Sequence, residues 1–182
     1  MKRAHIIAIL LSLLVLSLAA LAVGIWLAWP QKPDIARDVF GNEEVLATFK
    51  AADSVTAQRL HYRRENPQNS RRLENYVQEA PVVVAPEQAR ELQQILLRES
   101  SYRWRYAKMC APAYGVLLTF GTGKAKVRVA LCFECNMLGI YDTADDGVNG
   151  VNIEKDFDPA RQQLVAVAKA VFPSDSVIQS LK

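Results

Sequence analysis

The stretch Tyr114-Gly-Val-Leu-Leu-Thr-Phe-Gly-Thr-Gly-Lys-Ala-Lys-Val-Arg-Val-Ala-Leu-Cys-Phe133 decides the fold. Val116, Leu118 and Phe120 alternate with Leu117 and Thr119. Val127, Val129, Leu131 and Phe133 then alternate with Lys126, Arg128, Ala130 and Cys132. Residues two apart on a strand share a face, so each run puts an apolar row on one side of a sheet. The Gly121-Thr-Gly-Lys124 segment between them supplies the turn of an antiparallel hairpin. A two-residue loop at Thr122-Gly123 sets Leu118 opposite Val127 and Val116 opposite Val129. A loop at Gly121-Thr122 moves the register by two and keeps the same faces together.

Working outward, Met137–Tyr141 predicts another short strand, and residues 142–152 are rich in turn formers. Asp158 is placed to cap a helix that starts at Pro159, buries Leu164, Val167, Ala168 and Val171, and ends at Pro173, with Ser174 capping a last short turn. Upstream, Tyr102-Arg-Trp-Arg-Tyr106 has the period of a half-buried strand with aromatics inward. The spacing of Ala89, Leu92, Ile95 and Leu96 predicts a helix from Pro86 to about Glu99. Pro81–Val84 reads as a short buried strand and Val55–Tyr62 as a further strand. Between those two lies Arg63–Arg72, a polar loop with four arginines. Residues 31–54 read as a stalk plus one short helix carrying Val45, Leu46 and Phe49 after Asn42. Residues 55–182 are therefore expected to form one small α+β domain, an antiparallel sheet packed by helices.

Ile6–Trp29 contains 24 residues without a charge. As a helix it runs about 36 Å, enough to cross a hydrocarbon core of roughly 30 Å with some tilt. Trp26 and Trp29 mark an interface, and Pro30 stops the helix. Residues 1–30 are thus expected to be an N-terminal transmembrane helix, an uncleaved signal anchor. The alternative is a cleaved signal peptide ending near Ala20-Leu21-Ala22, but the run is longer than a typical apolar region of such peptides. Lys2 and Arg3 favour an inside N-terminus. The expected location is the inner (cytoplasmic) membrane, single-pass, with the C-terminal domain extracytoplasmic or periplasmic.

The chain has 182 residues, 51% hydrophobic and 23% charged, which excludes general disorder. Its net charge is +3, and leaving out Lys2 and Arg3 brings 20 cations against 19 anions. Such a balance carries no field for nucleic acid, so none is expected as a partner. The charge is unevenly distributed: residues 31–130 hold 16 cations and 11 anions, residues 131–182 four and eight. That asymmetry allows a docking or self-association surface.

Cys110, Cys132 and Cys135 are the residues with special chemistry. A structural disulfide in an oxidising compartment is the preferred reading, Cys110 with Cys135, since extending the hairpin register sets them opposite one another; Cys132 is the alternative partner. Inert buried thiols come next. A zinc site follows, because Asn136 after Cys132-Phe-Glu-Cys135 tolerates the left-handed backbone of a metal knuckle. Its fourth ligand would have to be His61, a carboxylate or water. Redox catalysis comes last, as the motif ends a strand, where residues three apart face opposite ways unless a turn intervenes. Asp142-Thr-Ala-Asp-Asp-Gly147 begins like a calcium loop but has Ala144 and Ile153 at ligand positions. A hydrolase using Asp145 or Asp146 lacks a constellation.

The segments Cys110-Ala-Pro112, Tyr114-Gly-Val116, Leu131-Cys-Phe-Glu-Cys135, Asp156-Phe-Asp-Pro159 and Phe172-Pro173 resemble a group of uncharacterised bacterial exported or membrane-anchored proteins. The resemblance covers about half the chain, from Pro81 to Pro173. It implies that Cys110 and the Cys-Phe-Glu-Cys segment are the shared centre, and it implies no activity. The expected function is a membrane-anchored, non-catalytic binding or structural module of the cell envelope, held to the membrane by residues 6–29, with a protein or envelope component as partner and no cofactor. The alternative is a zinc-binding or thiol-active domain centred on Cys110, Cys132 and Cys135.

Overall fold

A computed structural model describes residues 5, 13–21, 23–24, 32–63, 70–105, 108–141 and 153–182. The chain divides into two units, Met1–Lys32 and Pro33–Lys182. In the first, residues 13–21 are helical. No helix among the described residues is long and apolar enough to cross a membrane, and most of the predicted anchor lies outside those residues.

The second unit is α+β. Its strands are β1 (Ser54–Tyr62), β2 (Tyr76–Gln78), β3 (Val82–Val83), β4 (Val116–Thr122), β5 (Ala125–Cys132), β6 (Met137–Tyr141) and β7 (Ile153–Asp156). They form one antiparallel sheet in the order β2-β1-β4-β5-β6-β7, with β3 sharing β1's outer edge with β2. The helices are α1 (Ile35–Asp38), α2 (Glu43–Lys50), α3 (Pro86–Leu96), α4 (Arg161–Val171) and α5 (Ser176–Ser180).

The β4–β5 hairpin forms with a different register from the expected one. Leu118 pairs with Val129 and Val116 with Leu131, and the loop is Gly123-Lys124. Gly123 has φ +57°, the conformation that a tight hairpin with glycine first in its loop requires. Lys124 thus takes the second loop position, and the parity of the faces survives the shift.

The two sheet faces are covered differently. Val55, Ala57, Val116, Leu118, Phe120, Val127, Val129, Leu131, Leu138 and Ile140 face a core to which all five helices contribute. Phe49 of α2 sits at its centre, its ring 4.6 Å from Phe40 and 4.4 Å from Phe120. The opposite face buries a second cluster: Leu60, Leu73, Tyr76, Tyr114, Leu117, Ala130, Cys132 and Tyr141. None of these residues comes from the five helices.

The residues expected as a stalk are part of this body. Ala36, Val39 and Phe40 are buried in the helical core, and the compact unit begins at Pro33. The short helix expected after Asn42 forms, and Asn42 caps it, accepting from the Val45 amide at 2.9 Å. Pro81–Val84 is not a buried strand: Val82 and Val83 form an exposed edge, and only Val84 turns inward. Nor do residues 102–105, the described part of the Tyr102–Tyr106 run, form a strand; Tyr106 lies outside the described residues. Ser101 and Tyr102 instead send their hydroxyls back to the carbonyls of Ile95 and Leu96, both at 2.6 Å, satisfying groups left open at the end of α3. From that segment only Arg103 makes a bridge among the described residues, to Asp156. That bridge lies beside β7, a strand whose Ile-Glu-Lys-Asp sequence has too little alternation to announce itself. At the C-terminus the cap of α5 is Asp175, not Ser174.

Candidate thiol site

The turn between β5 and β6 spans residues 133–136, bounded by the pair Cys132 and Met137. Asn136 adopts φ +52°, as the knuckle reading of the sequence required. The turn folds Cys135 back onto Cys132, with the sulfurs 3.4 Å apart. Cys110, arriving from the segment before β4, acts electrostatically on the same Cys135 thiol. All three are free thiols.

The structure therefore brings the three predicted residues together, by a route other than the one expected. Cys110 and Cys135 do not face each other across a ladder, because β4 begins only at Val116. Cys132 is buried in the second cluster and Cys135 packs at its edge, while the Cys110 segment is tied to the turn through Lys108. His61, one of the candidates for a fourth zinc ligand, is engaged elsewhere, and Asp156 and Asp158 are paired with Lys108. His61 pairs with Glu79, Nε2 to Oε1 at 2.5 Å. Among the described residues no group of three or more His, Cys, Asp and Glu side chains is arranged to hold a metal ion. The calcium-loop candidate, Asp142–Gly147, lies outside the described residues.

Burial pushes the Cys135 thiol well above its ordinary range, and the interactions with Cys110 and Cys132 push the same way. A thiol so held is protonated at neutral pH and is a weak nucleophile.

Beneath the turn lies a polar network that the sequence reading missed. Lys108 donates to the Cys135 carbonyl at 2.8 Å, and its Nζ lies 2.5 Å from Asp158 Oδ1 and 3.2 Å from Asp156 Oδ1. Asn136 donates to Asp158 at 2.7 Å, and the Phe157 amide to the Asn136 carbonyl at 2.9 Å. Asp158 spends its carboxylate on this network rather than on capping a helix, so α4 starts only after a 3-10 turn, Asp158–Ala160. Burial works against charge on Lys108, but the two carboxylates outweigh it and hold its pKa above the usual lysine value. Burial likewise opposes charge on Asp158, and the bonds from Lys108 and Asn136 leave its pKa lowered. The signal in the sequence was Lys108 two residues before Cys110 and Asn136 directly after Cys135.

On the same sheet face Tyr114 donates to Glu154 at 3.1 Å, and Glu154 takes two bonds from Arg71, at 3.0 and 2.7 Å. Tyr76 donates to the Ser70 carbonyl and accepts from the Tyr114 amide. The Tyr141 hydroxyl is buried with no hydrogen-bond partner among the described residues. Beside the turn opens a cleft of about 380 Å³ lined by Arg59, His61, Tyr62, Tyr114, Phe133 and Glu134 together with α5 residues.

The charge asymmetry resolves within the chain. Arg59 pairs with Asp175, Arg71 with Glu154, Arg103 with Asp158 and Lys108 with both Asp156 and Asp158, each joining the cationic part to the anionic one. In comparisons with family models, curated proteins and solved structures, nothing matches the chain.

Proposed function

We propose that the chain is a single-pass membrane protein of the bacterial envelope, anchored by residues 6–29, whose α+β body lies outside the cytoplasmic membrane and binds a protein or envelope component without catalysis. The observation that carries the binding reading is the cleft beside the thiol turn, which sets Tyr62, Tyr114 and Phe133 next to His61 and Glu134. A concave surface that sets aromatic rings among charged and polar side chains suits recognition. The non-catalytic reading is supported by the state of the reactive groups: Lys108, Asp156 and Asp158 neutralise one another, and the Cys135 thiol is held protonated. The anchor is supported by the helix over residues 13–21, where Leu13, Leu14, Val15, Leu16, Leu18 and Leu21 are each more than half exposed, on every side of the helix.

The test is membrane fractionation with protease digestion of intact and outer-membrane-permeabilised cells. The reading expects a membrane-bound chain whose body is cut once the outer membrane is opened. A freely soluble chain, or one cut only after the inner membrane is broken, overturns it. For the cleft, a photo-crosslinking residue at Glu134 should give one discrete adduct in cells that the same residue at the α3 surface position Glu87 does not.

A second reading, a zinc or thiol centre, is favoured by the convergence of Cys110, Cys132 and Cys135 around a left-handed Asn136. As they stand the three sulfurs are not arranged to hold a metal, so zinc would have to draw them together before three thiolates and a water completed its shell. One zinc per chain, with all three thiols shielded from alkylation, would replace the first reading of the cysteines.

A further inference from the structure

We propose that Cys135 is the shared member of two mutually exclusive disulfides, Cys110–Cys135 and Cys132–Cys135, and that the turn passes between them by internal thiol–disulfide exchange after oxidation by an external disulfide. This deepens the placement proposed above, resting on it only for the source of the oxidant, a protein or small-molecule disulfide in an oxidising compartment.

The geometry points to Cys135 because the Cys132 sulfur lies 3.4 Å from its own and because Lys108, two residues before Cys110, donates to its carbonyl and so ties the Cys110 segment to the turn. From 3.4 Å, a bond of about 2.05 Å asks each sulfur of the Cys132–Cys135 pair to move by roughly 0.7 Å. Lys108 holds the Cys135 carbonyl from two residues before Cys110, and Asn136 is tied to Asp158, so the Cys110 segment and the turn stay together whichever bond forms. Access differs among the sulfurs. Cys132 is 1% exposed, whereas Cys110 and Cys135 are partly open, so an incoming disulfide meets Cys110 or Cys135 and reaches Cys132 only by internal exchange.

The steps balance. The Cys110 thiolate attacks a sulfur of RSSR, forming a Cys110–SR mixed disulfide and releasing RS⁻, which takes a proton from water. Cys135, its proton lost to water, attacks the Cys110 sulfur and releases the second RS⁻. Two protein thiols have lost two electrons and two protons, and RSSR has become two RSH. The Cys132 thiolate then attacks the Cys135 sulfur, the Cys110–Cys135 bond breaks, and Cys110 leaves as thiolate, with no net change in oxidation state. The protonated state of reduced Cys135 fits this order, since it leaves the first capture to Cys110.

The experiment uses the reduced full-length chain in detergent, oxidised with glutathione disulfide, quenched by alkylation at intervals and mapped by peptide mass spectrometry. The wild-type chain should form one internal disulfide and keep one thiol, with both Cys110–Cys135 and Cys132–Cys135 peptides present and their ratio changing with time. C132S should give only Cys110–Cys135 and C110S only Cys132–Cys135. C135S should stop at the glutathione adduct of Cys110, forming internal disulfide at least tenfold more slowly. A Cys110–Cys132 bond formed by C135S at the wild-type rate overturns the proposal, as does a single fixed linkage in the wild type or zinc protection of all three thiols. The wild-type time course decides even if a variant fails to fold. Because the assay needs no cell, a body found in the cytoplasm sinks the placement and leaves the exchange standing, while a fixed linkage sinks the exchange alone.

Discussion

Arg59, from the middle of β1, lies against Asp175 at the start of α5, Nε to Oδ2 at 2.5 Å, although 116 positions separate them in sequence. Arg59 is buried and also donates to the Gly115 carbonyl. A β-carbon at Gly115 would lie 3.2 Å from Nη1, so a side chain there would oblige the guanidinium to shift by a few tenths of an ångström. Asp175 doubles as the cap of α5, accepting from the Ile178 amide at 2.9 Å. Replacing Asp175 by Ala removes the cap and strands a buried cation, and should cost about 2–4 kcal/mol in chemical denaturation. Burial opposes charge on Asp175, yet the Ile178 amide and Arg59 win and leave its pKa lowered. A depressed folded pKa gives stability that is present above the unfolded value near pH 4 and lost as pH falls through the folded one. The D175A deficit should therefore shrink below about pH 4.

The Lys108 network makes a second pH-dependent prediction with two limits. Asp158 is lowered, so its share is lost on acidification. Lys108 is raised, so its share is complete below the unfolded lysine value of about 10.4 and is lost as pH rises through the folded one. K108M leaves Asp156, whose side chain is 3% exposed, without its cation and should cost about 2–4 kcal/mol at pH 7. Stability curves of the two proteins should converge at both ends of the pH range, and parallel curves would disprove this account.

Asn136 separates backbone strain from hydrogen bonding. N136A places a β-carbon in the left-handed region and loses the bond to Asp158; N136G loses only the bond. Thermal unfolding should rank wild type above N136G and N136G above N136A, the last step being about 1 kcal/mol. Equal melting temperatures for the two variants would show that strain at this position is unimportant.

Phe49 is wholly buried between Phe40 and Phe120. F49A should cost about 3–5 kcal/mol in denaturant, while V83A, on the exposed edge strand, should change stability by under about 0.5 kcal/mol. A similar cost for both would mean that α2 does not anchor the sheet.

How far the sequence could be read depended on how local each interaction is. The hairpin, α3, β6 and the short helix after Asn42 follow from spacing within one element, and all were legible. The hairpin register was not, because shifts of two residues preserve every face and only the conformation of Gly123 chooses between them. Tyr102–Tyr106 misled because strand-like alternation was overruled by hydroxyls reaching back to α3. At the thiol site, the three sulfurs and the left-handed Asn136 were visible in the letters. Lys108, Asp156 and Asp158, which hold the turn in place, were not, since their pairing spans roughly 50 residues and no periodicity records it.

Among the described residues, one face of the sheet wears five helices and the other the segments around Leu73, Tyr76 and Tyr114, which include no α-helix. Amide protons beneath the thinner cover should exchange with solvent first, ahead of whole-molecule opening. Cys132 lies under that cover, so the rate at which a small alkylating reagent finds it serves as a clock for how often the molecule breathes on that side.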